Sequence, residues 1–101
     1  ETSEGHTPGL LLTTVQTPRG PVTFTSDLIP GVPWVHVPIT MGYDRFPERL
    51  IEEKRTLLER VRSRGGWLAF THDPDVAAAK VTRDASERFG AADTLAVVDW
   101  A

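Results

Sequence analysis

The 101 residues include 11 basic and 14 acidic side chains, a net charge of −3, and 40% are hydrophobic. That is enough for one small domain or part of a larger one, and the mildly acidic balance argues against a nucleic-acid partner. The absence of cysteine excludes disulfides and thiolate metal sites, so any transition metal must be held by imidazole and carboxylate.

The chain opens with ETSEGHTPG rather than with Met. This stretch lacks the basic start and apolar run of a signal peptide, and nothing downstream approaches the roughly 20 apolar residues of a membrane span. The expectation is a cytoplasmic protein whose chain begins after processing or within a longer gene product. Leu10 to Thr17 is apolar and β-branched and reads as a strand. Pro18-Arg19-Gly20-Pro21 is a turn signal, and Val22 to Thr25 reads as the returning strand of a hairpin. Ser26-Asp27 follows, placing Asp27 at a strand tip.

Residues 28–46 form a long loop in which Pro30, Pro33 and Pro38 oppose regular helix. A loop of that length in a small domain is usually functional or mobile. Its Trp34, Met41, Tyr43 and Phe46 either line an apolar pocket or seal the loop onto the core. His36 either contacts substrate or is a solvated loop residue.

Next, Asp44 suits the N-cap region and Pro47 the first turn of a helix. Leu50, Ile51, Lys54, Leu57, Leu58 and Val61 share one helical face, and Gly65-Gly66 ends the run. The acidic residues Glu48, Glu52 and Glu53 come early and Arg60, Arg62 and Arg64 late, as the helix dipole prefers. The arginines read as a solvated helix end. Trp67 to Thr71 reads as a short strand leading into His72-Asp73-Pro74. Val76 to Thr82 is a strand or a short helix, and Leu95 to Trp100 has strand character.

Singly, His6, Asp27 and His72 are ordinary turn residues. Their combination carries more: Gly5-His6-Thr7-Pro8-Gly9, a hairpin, Ser26-Asp27, a helix, then a strand ending in His72-Asp73. Over roughly residues 4–83 this order resembles the second half of the metallo-β-lactamase superfamily. Asp27-Leu28-Ile29-Pro30, His36 and Met41-Gly42-Tyr43-Asp44 are similar to the branch holding quorum-quenching, lactonase-like members. The resemblance implies an α/β fold, the C-terminal half of an αββα sandwich. It implies two divalent metal ions, zinc foremost. His6 would bind one ion and His72 the other, with Asp27 bridging both as the residue central to catalysis.

It further implies a hydrolase in which metal-activated hydroxide attacks an ester or lactone, N-acyl-homoserine lactones included. Trp34, His36 and Tyr43 are then the substrate-side residues, and Asp73 either hydrogen-bonds a ligand or caps its turn. Two departures stand out. The superfamily's His-x-His-x-Asp-His motif is not among residues 1–101, which hold only three histidines, so the N-terminal half is expected elsewhere and this segment alone is expected to be inactive. Pro30 also stands where better-known lactonases carry a tyrosine, and Tyr43 is the only tyrosine. A non-catalytic binding or structural segment that needs a partner chain, and a phosphodiesterase on the same fold, are the alternative readings.

Overall fold

The structure, a computed structural model, describes residues 1–40, 42 and 44–98; Met41, Tyr43 and Trp100 lie outside the described residues. The hairpin forms as expected. Strands β3 (Thr13–Thr17) and β4 (Gly20–Phe24) pair antiparallel across a two-residue turn at Pro18-Arg19. Gly20 has φ +109°, a conformation open to glycine, and the Thr17 hydroxyl donates to its carbonyl at 2.7 Å. The expected single strand over residues 10–17 is instead two. Leu10–Leu11 (β2) pairs with Thr2–Ser3 (β1) as a separate two-stranded ribbon.

After the long loop, helix α1 spans Pro47–Ser63. Strands β5 (Trp67–Ala69), β6 (Ala78–Arg83) and β7 (Phe89–Leu95) complete a sheet of order β3-β4-β5-β6-β7. Among the described residues only β4 and β5 pair in parallel, a pairing that needs a long crossover, here supplied by the loop and α1. The open choice over residues 76–82 resolves to strand. The last strand corrects the sequence reading: it lies at Phe89–Leu95, and residues 96–98 are not strand, because pairing with β6 sets it rather than its own small and polar composition.

The helix buries Leu50, Leu57, Leu58 and Val61 against Leu68, Val81 and Phe89 of the sheet. The loop adds Leu28, Ile29, Val35 and Val37 to the same core, so it is held by its own apolar side chains. It also contains two short 3-10 turns, Ser26–Leu28 and Val32–Val35, the second with Pro33 in its first turn. The helix-end arginines are partnered in part: Arg60 bridges to Glu1 and Arg62 to Glu59.

The other face of the sheet carries Val15, Val22 and Trp67 in register, beside Phe24. Val15 and Phe24 are 57% and 42% exposed. Lys80 lies over the Trp67 ring and shields it. Among the described residues no helix is long and apolar enough to cross a membrane.

Two substitutions test this packing. Leu58 is fully buried, so Leu58→Ala should cost about 2–5 kcal/mol in urea unfolding; a change within error would mean α1 does not seal the core. Gly5 lies so close to α1 that an added Cβ would fall 2.3 Å from the Leu50 Cα. Gly5→Ala should therefore lower the melting temperature by several degrees, and an unchanged melting curve would contradict this close approach.

Candidate metal centre

The turn that carries His6 is built from backbone groups with few partners of their own. Glu53 on α1 supplies them: its carboxylate accepts from the Gly5 and Glu4 N–H groups at 2.7 and 2.8 Å and from the Ser3 hydroxyl at 3.1 Å. The Arg45 N–H donates to the His6 carbonyl at 3.1 Å and the Phe46 N–H to that of Gly5 at 2.8 Å. The turn is thus fastened to the start of the helix on both sides.

Asp27 follows β4 in a 3-10 turn. Ser26 before it has φ +48°, a left-handed conformation that costs a non-glycine residue about 1–3 kcal/mol and persists only where its surroundings hold it. Here the buried Thr25 hydroxyl donates to the Ile29 carbonyl at 2.8 Å, while Leu28 and Ile29 anchor in the core. His72 follows β5, the parallel neighbour of β4, and its N–H donates to the Pro30 carbonyl at 2.9 Å. The parallel pairing is what brings Asp27 and His72 to the same end of the sheet.

The three side chains meet. His6 Nε2 lies 3.3 Å from Asp27 Oδ2, and His72 Nε2 lies 3.0 Å from Asp27 Oδ1. Each imidazole therefore faces a different oxygen of one carboxylate. On its far side, His6 Nδ1 lies 2.7 Å from Asp44 Oδ1, and the Asp44 side chain is only 1% exposed. If Nδ1–H donates to Asp44, a neutral His6 presents the Nε2 lone pair to Asp27. Two acceptors then face each other, an arrangement that calls for a cation or a proton between them.

Zinc bonds of about 2.0–2.1 Å place neighbouring tetrahedral donors roughly 3.4 Å apart, close to both spacings. The donor set thus fits a divalent metal on either side of Asp27. Among the described residues no three His, Cys, Asp or Glu side chains form a complete metal-holding group, because each side of Asp27 has one imidazole only. Exposure runs from 13% at His6 through 31% at Asp27 to 62% at His72, so the His72 side is open.

The remaining expected residues divide. Asp73 uses its carboxylate on backbone: Oδ2 accepts from the Val32 N–H at 2.9 Å, Oδ1 from Asp75 and Val76 at 3.0 and 2.9 Å. The Val32 N–H foremost, then that of Asp75, holds its carboxyl below the usual range. It is a turn clamp that ties the His72 turn to the loop. Trp34 packs on the core, its buried Nε1 without a hydrogen-bond partner among the described residues. His36 lines a separate cavity with Arg55, Arg88 and Phe89, and Tyr43 falls outside the described residues.

Asp44 is the residue that sequence reasoning missed. It was expected to cap the helix, yet Phe46 holds the N-cap position and Asp44 turns to His6. A Gly-His turn together with an aspartate before a helix was the only available hint.

No family model matches the chain, and no curated protein does. Solved structures do. A probable metal-dependent hydrolase from Staphylococcus aureus superposes with a TM-score of 0.77 at 23% identity, covering 94% of this chain and 35% of that one. AidC, a dizinc quorum-quenching lactonase solved with a product, gives 0.76 at 19% identity, covering 91% and 32%. The hydrolase AbOPH of the β-lactamase superfamily gives 0.73 at 18%, covering 86% and 31%. The chain spans about a third of the length of these structures, and over that span it has the metallo-β-lactamase fold, which it shares with metal-dependent hydrolases that include a quorum-quenching lactonase.

Proposed function

We propose that this chain is the C-terminal portion of a metal-dependent hydrolase and supplies one side of a two-metal site. The observation that carries the reading is the pair of imidazoles on the two separate oxygens of Asp27. A carboxylate can touch two ions at once, and an imidazole nitrogen cannot. His6 would hold one ion, His72 the other, and Asp27 both, with the remaining ligands coming from a segment outside residues 1–101.

When bound, such ions supply Lewis acidity and generate a nucleophile from water at neutral pH. The chain's own residues do the positioning. Asp44 orients His6 through Nδ1, and the Glu53 carboxylate fixes the turn that carries it. The Asp73 clamp and the bond from His72 N–H to Pro30 hold the other side.

Zinc is the first choice for an imidazole and carboxylate set without thiolate. An ester or lactone is the proposed substrate, with the lactonase likeness in support. The half-exposed apolar sheet face at Val15 and Phe24 supports a second sheet packing there in the complete, cytoplasmic protein. Residues 1–101 alone should then lack turnover.

Asp27→Ala in the full-length protein should remove most bound metal and with it hydrolysis, since the nucleophile is generated on the ions that this carboxylate would hold. Elemental analysis beside a lactone and ester assay measures both. Full metal content with normal turnover would sink the assignment.

A further inference from the structure

Lys54 is fully buried, at a place on α1 where the periodicity calls for an apolar side chain. Its ammonium donates to three backbone carbonyls, those of Trp34 at 2.8 Å, His36 at 3.3 Å and Ile39 at 2.5 Å. An ammonium has three N–H donors, so all are engaged and none is left for proton transfer or nucleophilic attack. Burial pushes its pKa down to about 8, with the Asp44 charge opposing, so the three-donor form prevails at neutral pH.

The three carbonyls belong to one stretch of the loop, whose own backbone bonds are local: Trp34 N–H to Gly31 O and Ile39 N–H to His36 O. No strand holds it. Five residues beyond Ile39 the chain reaches Asp44, which meets His6 Nδ1, and Arg45 N–H bonds the His6 carbonyl. Residues 34–39 therefore fix one end of the short connection whose other end is Asp44.

We propose that Lys54 is a positioning residue: its buried ammonium gathers the Trp34, His36 and Ile39 carbonyls and so sets the return of the loop that delivers Asp44 to His6. The proposal rests on the reading of His6 as a metal ligand. An apolar side chain would fill the same space but offer no donor to the Trp34 and Ile39 carbonyls and leave that of His36 with the Ile39 N–H, and the loop would seek water instead. The effect on the metal would run through the Asp44–His6 contact, since outer partners of this kind set the ring orientation of a ligating histidine.

The test is zinc affinity, measured by competition with a chromophoric chelator on the full-length protein and its K54M, D44N, K54M/D44N and H6A variants. K54M and D44N should each weaken zinc binding by about 10–100-fold. The double variant should bind no more weakly than D44N alone, because both changes act through one contact. Wild-type affinity in K54M, or losses that multiply in the double variant, would overturn the proposal. Wild-type affinity in H6A would overturn the underlying reading of His6 independently of any change at Lys54.

Should K54M not fold, native-state hydrogen exchange on the wild type decides. The Trp34 and Ile39 amides should exchange as slowly as the core of α1. Exchange at the rate of a free loop would overturn the clamp.

Discussion

Two adjacent charged side chains on α1 hold the site from opposite sides. Glu53 offers a carboxylate to backbone N–H groups of the His6 turn, and Lys54 offers an ammonium to backbone carbonyls of the loop. Successive helical residues point about 100° apart, so neighbours in sequence reach different segments. Among the described residues neither segment is paired within the five-stranded sheet, and each would otherwise bury peptide groups without partners, a costly state. One helix thereby stands in for the sheet pairing that these stretches do not have.

The helix in turn depends on ordinary packing. Its leucines meet the sheet on one side and loop residues Leu28, Ile29, Val35 and Val37 on the other. The order is hierarchical. Apolar burial seats α1, α1 organises the backbone of the turn and loop, and those bring His6 and Asp44 together near Asp27. The strained Ser26 backbone sits between the last residues of β4 and the buried Leu28.

Much of this was legible in the sequence where the signal is local. The Pro-Arg-Gly turn marks the hairpin, and the spacing of Leu50, Leu57, Leu58 and Val61 marks the helix. The order of His6, Asp27 and His72 pointed to the superfamily whose fold the chain shares. What escaped was non-local. Asp44 has the composition of a cap, and nothing near it reveals a partner 38 residues earlier. Lys54 falls on the buried helical face, but its three acceptors are 15 to 20 residues upstream. Phe-Gly-Ala-Ala-Asp-Thr-Leu has little strand character of its own, and β7 exists because β6 offers it an edge. The split between β2 and β3 likewise follows from Thr2–Ser3 taking Leu10–Leu11 as its partner.

The parallel pairing of β4 with β5 also bears on how the chain folds. Asp27 and His72 sit beyond neighbouring strand ends, yet the whole crossover, long loop and α1 included, separates them along the chain. Closing so long a loop costs entropy before any contact repays it, and contacts far apart in sequence slow folding. The hairpin and the helix can form early from local interactions alone. The convergence of two imidazoles on one carboxylate then belongs to the late steps, after the crossover has docked. A newly made chain would pass through a stage with its secondary structure in place and His6 and His72 still apart, so that the Asp27 carboxylate meets neither imidazole until the crossover has docked.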